Sequence, residues 1–134
     1  MPNAAAVIVA LELSFLLASE PALAVKLPCR TSTRVVAACF RIHGRLSIWN
    51  GTPSVRIWKI GTNRMFGVLD GNSSADSDDI LPVELRRLLA PNGSVGVNVF
   101  GDFDVCPLTK QHKGWMQMVC IDSASHLVSK NDSP

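Results

Sequence analysis

Phe40-Arg41-Ile42-His43-Gly44-Arg45-Leu46-Ser47-Ile48 alternates apolar and polar side chains over nine residues. A repeat of two puts Phe40, Ile42, Leu46 and Ile48 on one face and Arg41, His43, Arg45 and Ser47 on the other, which is the pattern of a half-buried strand. Asn50-Gly51-Thr52-Pro53 follows as a turn, since Asn-Gly supplies the positive φ angles that a tight turn needs. Val55-Arg56-Ile57-Trp58-Lys59-Ile60 repeats the alternation, Gly61-Thr62-Asn63 turns again, and Met65-Phe66-Gly67-Val68-Leu69 makes a third strand. Two short turns joining three strands predict an antiparallel meander.

Downstream the period changes. Residues 70–79 form a polar loop rich in Asp and Ser, after which Leu81, Leu85, Leu88 and Leu89 recur at helical spacing. Pro82 suits a first turn, Asp78 and Asp79 suit the positive end of the helix dipole, and Arg86 and Arg87 suit its negative end. Pro91-Asn92-Gly93 stops this short helix. Val95, Val97, Val99, Phe103 and Val105 resume period two up to Cys106, with Gly101 marking a bulge. Trp115 to Ile121 reads as the last strand, and the polar stretch from Ser123 reads as a frayed tail. The expected architecture is mainly β: a small antiparallel β-sandwich or partly open barrel with one short helix.

Upstream lies a different kind of segment. Ala4 to Ala18 is a nearly unbroken apolar run, interrupted by Glu12 and followed by Pro21 and the small-x-small triplet Ala22-Leu23-Ala24. It is shorter than the ~20 residues that span a bilayer, and it reads as a signal peptide over 1–24. Residues 25–38 then form an irregular arm, 39–122 the β-domain, and 123–134 a polar C-terminal tail. The predicted location is periplasmic or secreted, with no membrane span in the mature chain.

The full chain of 134 residues is 47% hydrophobic and 18% charged, with a net charge of +2. That composition excludes intrinsic disorder, which needs low hydrophobicity and high net charge. Without Glu12 and Glu20 the mature part carries 13 basic and 9 acidic residues, a net of +4. The charges are segregated: eight cations from Lys26 to Arg64 precede the first acid of the mature part, Asp70. Cys29, Cys39, Cys106 and Cys120, an even count in a small exported domain, predict two disulfides. Three connectivities are open. Cys29–Cys39 with Cys106–Cys120 is favoured, because the second pair flanks a hairpin. A metal site using these cysteines and His43, His112 or His126 lacks Cys-x-x-Cys or His-x-x-x-His spacing, so neither metal nor cofactor is expected.

The candidate binding residues are those on the outward face of the first two strands: Arg41, His43, Arg45, Arg56 and Trp58. A basic, aromatic sheet face suits anionic polymers. The competing account pairs these cations with Asp102 and Asp104, which alternate outward on a neighbouring strand. Trp49, Trp115, Met116 and Met118 are candidates for lining an apolar pocket, though core packing is the simpler account of the two methionines. No Gly-x-Ser-x-Gly elbow is present, so binding is favoured over catalysis. Two alternatives remain: a small hydrolase-type site around His43 and Asp102, and a calcium-dependent module using Asp70, Asn72, Asp76, Asp78 and Asp79, although their spacing is not that of an EF-hand. The expected partner is an envelope protein or an anionic glycan, not nucleic acid.

Two stretches carry a resemblance. Cys39 to Trp58, which includes Gly44-Arg45-Leu46-Ser47-Ile48-Trp49-Asn50-Gly51-Thr52-Pro53, and Val99-Phe100-Gly101-Asp102-Phe103-Asp104-Val105-Cys106-Pro107-Leu108, followed by Met116 to Cys120, resemble a group of small exported bacterial proteins of unknown function. The resemblance implies export but no activity. Gly44-Arg45-Leu46, Gly51-Thr52-Pro53 and Val55-Arg56-Ile57-Trp58 are also similar to the first hairpin of transthyretin-like β-sandwich domains, which bears on fold alone. Intradiol dioxygenases share a similar hairpin but bind iron through Tyr and His, and this chain has no Tyr.

Overall fold

The computed structural model describes residues 28–71, 80–89 and 96–131. The expected signal peptide, most of the acidic loop and the helix-stopping Pro91-Asn92-Gly93 lie outside them. The strands are β1 (Phe40–Ile48), β2 (Val55–Lys59), β3 (Met65–Val68), β4 (Val97–Pro107) and β5 (Gln117–Asn131), with helix α1 (Val83–Leu89) between β3 and β4 and a 3-10 turn at Cys29–Thr31. The fold is mainly β with one short helix. Of the two architectures left open by the sequence, the molecule takes the barrel, and the barrel is closed in the order β1-β2-β3-β5-β4.

Closure explains why the sheet is mixed. β1 pairs antiparallel with β2 and β4, β2 with β3, and β4 with β5, but β3 and β5 run parallel where Phe66 to Val68 meet Gln117 to Val119. The alternating apolar faces fill the interior. Ile42, Leu46, Ile57, Phe66, Val99, Phe103, Val105 and Val119 are fully buried there, with Phe40 and Ile48 packed against them. Leu81, Leu85 and Leu89 join the same core, and α1 packs on β4 and β5. The Arg86 amide donates to the Pro82 carbonyl at 3.1 Å, so Pro82 opens the helix as its fixed φ favours. Among the described residues no helix is long and apolar enough to cross a membrane.

Two expectations are corrected. The stretch from Ser123 is not a frayed tail: β5 continues to Asn131, pairing Ala124 with Phe103, Val128 with Phe100 and Asn131 with Val97. A register shift between Phe100 and Asp102, with His126 at φ 52°, breaks period two, so Ala124 and Leu127 both pack against the core although three residues apart. The disulfides also join different cysteines, Cys29–Cys120 and Cys39–Cys106, with Cα separations of 5.9 and 4.1 Å. Cys106 and Cys120 do sit opposite each other on β4 and β5. Phe40 pairs with Val105, however, which brings Cys39 against Cys106. Cys120 is then met by the arm carrying Cys29. Cys29, Cys106, Cys120 and Leu108 form a second small core.

Candidate cation and aromatic face

The outward residues of β1 divide between two neighbours. Toward β4, Arg41 lies opposite Asp104 and His43 opposite Asp102. Arg41 Nε and Nη2 donate to the two Asp104 oxygens at 2.9 and 3.0 Å, a bidentate pair, and Ser123 Oγ donates to the same carboxylate at 2.9 Å. His43 Nδ1 lies 2.8 Å from Asp102 Oδ1, and His126 Nδ1 lies 3.0 Å from Oδ2. Because a carboxylate only accepts, each Nδ1 carries the proton. Hydrogen bonding from His43, with His126 adding to it, holds Asp102 below the usual carboxylate range; Arg41, then Ser123, does the same for Asp104. Nearby, Arg30 meets Asp122 at 2.6 Å.

Toward β2 the cations meet rings instead. Arg45 lies opposite Trp58, and its guanidinium sits 5.2 Å from the Trp58 ring centroid. Arg56 sits 5.5 Å from the Trp49 ring, and Arg64 covers the ring of buried Phe66 at 4.7 Å. These are cation–π distances. None of the three guanidiniums has a carboxylate partner among the described residues. Their fixing bonds are neutral: Arg56 Nε donates to the Pro53 carbonyl at 3.0 Å and Arg64 Nη2 to Gln117 Oε1 at 3.1 Å. Arg45 Nε is buried without a hydrogen-bond partner among the described residues. Trp58 is clamped by its own indole, which donates to the Thr62 carbonyl at 2.7 Å.

Gly67 on β3 lies between these groups. A Cβ there would stand 2.5 Å from Pro53, 2.6 Å from the Met118 sulfur and 3.2 Å from the Met116 sulfur, so only Gly admits the close approach of the β1–β2 loop and β5 across β3. Met116 and Met118 therefore lie on the outside of the barrel wall, not in its main core. The β4–β5 loop stands beside β3. Its tip turns at His112–Trp115, with Gly114 at φ 81°, and leaves Trp115 81% exposed. Between the loop and the start of β3 is a cleft of about 470 Å³ whose walls include Arg64, Met65, His112, Lys113, Trp115 and Gln117.

Of the five residues expected on a binding face, Arg45, Arg56 and Trp58 share the ring-stacked wall, and Arg41 and His43 are engaged by acids. Trp49 and Arg64 extend the stacked wall by contacts of their own, with Arg56 and Phe66, and Trp115 lines the cleft that Arg64 also borders. Arg64 carried no signal in the sequence because it sits at the end of a turn, outside any alternating run. Cys29, Cys106 and Asp122 also cluster, but both sulfurs are bonded in disulfides and supply no thiolate for a metal. Of the acidic loop only Asp70 and Gly71 lie among the described residues, with Ser32 Oγ donating to the Gly71 carbonyl.

The site thus sits on a closed ring of five strands in the order β1-β2-β3-β5-β4, with helix α1 between β3 and β4. Compared with protein-family models, curated proteins and solved structures, the chain matches none.

Proposed function

We propose that this is an exported, disulfide-stabilised β-domain of the cell envelope that binds an acidic polysaccharide along the face of β1, β2 and β3. The observation that carries the reading is the set of three guanidiniums, Arg45, Arg56 and Arg64, each fixed against a ring and none paired with an acid among the described residues. A preoriented guanidinium loses little entropy on meeting a carboxylate, and Trp49, the exposed ring of the three, offers flat apolar surface to the sugar. Two disulfides suit an oxidising compartment. There an acidic glycan is a more accessible polyanion than a nucleic acid.

The test is retention on immobilised polygalacturonate, with dextran as the neutral control. Binding that weakens steeply with salt and is lost in R45E/R56E supports the reading. Binding that ignores salt, or survives both reversals, overturns it. A single-stranded oligonucleotide of equal charge that competes more strongly than the uronate polymer reassigns the face to nucleic acid. Intact mass of the exported protein, with and without reductant, tests cleavage after Ala24 and both bridges together.

A hydrolase-type reading rests on the 2.8 Å contact of His43 with Asp102. It requires ester or amide hydrolysis that H43A abolishes; no turnover in the wild type removes it.

A further inference from the structure

The cleft beside the β4–β5 loop has the features of a ligand site in its own right, and it is continuous with the stacked wall. Met65 both lines the cleft and pairs with Trp58 across β2 and β3. A volume of about 470 Å³ falls within the range of small-ligand sites. It holds a sugar ring or two, not a folded partner.

Its walls are unlike in chemistry. On one side Trp115 presents a largely exposed indole at a loop tip, with no core to pack against. It is the most exposed large apolar side chain among the described residues, and its amphipathic ring is of the type that Trp brings to binding sites. The other side is cationic and held firmly. Arg64 is pinned by Phe66 beneath it and by Gln117 beside it, and Gln117 Nε2 in turn donates to the Thr109 carbonyl at 3.0 Å. Thr109 Oγ1 also accepts from the Met118 amide at 2.9 Å, which ties the root of the loop to β5. With one Nη group committed to Gln117, Arg64 keeps further N–H donors for an anion, and Lys113 adds a second cation at the rim.

From this juxtaposition we infer that the cleft is a subsite for one uronic acid residue: its ring lies on Trp115 and its carboxylate is held by Arg64 and Lys113. An aromatic π-face attracts the polarised C–H groups of one sugar face, while a guanidinium fits a planar carboxylate. A neutral sugar would use only the first contact and an inorganic anion only the second, so the cleft requires both in one ligand. The inference rests on the reading of the β1–β2–β3 face as a site for acidic polysaccharide and specifies its terminal contact.

The three Trp indole N–H signals separate the two claims. In the oxidised, ¹⁵N-labelled protein, titration with a galacturonic acid trimer should shift the Trp115 indole, identified with W115F, and a galactose trimer should not. W115A and K113E alter exposed loop residues and should retain the rest of the spectrum. Each should weaken the trimer about tenfold, the scale of one lost stacking or charge-assisted contact. If Trp49 and Trp58 shift but Trp115 does not, the cleft assignment fails and the face stands. If Trp115 alone shifts, the cleft stands and the extended face fails. Equal shifts with the neutral trimer overturn the requirement for a carboxylate, and no shift at any indole overturns both.

Discussion

The two walls that share β1 are built differently. The wall formed with β4 and β5 has strands of 9, 11 and 15 residues, carries both disulfides and meets its cations with Asp102, Asp104 and Asp122. The hairpin wall has strands of 5 and 4 residues, no covalent staple, and cations laid on rings. One wall meets its arginines and histidines with acids, and among the described residues only Lys130, over the Phe100 ring at 5.2 Å, is laid on a ring there. The other holds three guanidiniums in fixed positions against rings, with no acid partner among the described residues. A single alternating strand, β1, thus sends Arg41 and His43 into acid pairs and Arg45 onto the Trp58 ring, on the face proposed for binding.

The sharpest way to break this comparison is to reverse charge on each wall. R45E/R56E should reduce affinity for polygalacturonate at low salt by about tenfold or more per site, the scale of a charge-assisted hydrogen bond, while thermal unfolding moves little. R41E should do the opposite, lowering Tm by placing a second carboxylate against Asp104 and leaving affinity near wild type. Equal effects of the two reversals on retention would mean that the walls do not differ in function.

Next in size is removal of a staple. Cys39–Cys106 closes a loop of sequence separation 67 inside the 91-residue separation of Cys29–Cys120. On the chain-entropy account the first bridge formed contributes about 4 kcal/mol, and the nested one adds less because the outer loop is already closed. C39S/C106S should lower Tm by roughly 10 °C or more for a domain of this size. Amide exchange should rise along β1 and β4 before it rises in β2 and β3. An unchanged exchange pattern would show that backbone pairing, not the staple, sets the stiffness of the long wall.

Acid should act on the paired wall alone. Asp102 and Asp104 titrate below their ordinary range in the folded state. Their stabilisation is therefore complete above the unfolded value near 4 and is lost as pH falls through the folded values. Stability measured by denaturant unfolding should decline below about pH 4, and D102N/D104N should flatten that decline. A decline of the same slope in the double variant would place the acid sensitivity elsewhere.

The divergence of the walls also explains what could be read in advance. β1, β2, β3 and α1 follow from local periodicity, because each buries one face whatever its neighbours are. Ring closure does not: the parallel contact of Phe66 to Val68 with Gln117 to Val119 joins segments about fifty residues apart and leaves no mark on either. The disulfide pairing depends on which strand lies beside β1, so of the apparent hairpin partners Cys106 bonds to Cys39, just before β1, and Cys120 to Cys29 in the N-terminal arm. β5 beyond Ser123 was hidden by its bulge. In the candidate site, Arg45, Arg56 and Trp58 were legible from alternation on β1 and β2. Their separation from Arg41 and His43 was not, since it turns on which neighbour each outward side chain faces.

The smallest expected effect probes Asp102, a carboxylate that serves two imidazoles. His126 occupies φ 52°, a conformation that Asn tolerates better than most residues. H126N therefore removes the imidazole with little disturbance to the backbone, where H126A would mix lost contact with strain. Asp102 keeps its first partner, His43, at 2.8 Å. Its carboxyl should titrate closer to the ordinary value than in the wild type, yet still below it, as followed by side-chain carbon shifts. Unfolding near neutral pH should change only slightly, because both imidazoles are largely exposed and exposed ion pairs contribute little. Polygalacturonate binding should not change at all. A loss of binding in H126N would mean that the two walls communicate through β1, and the division of charge between them would then be one site rather than two.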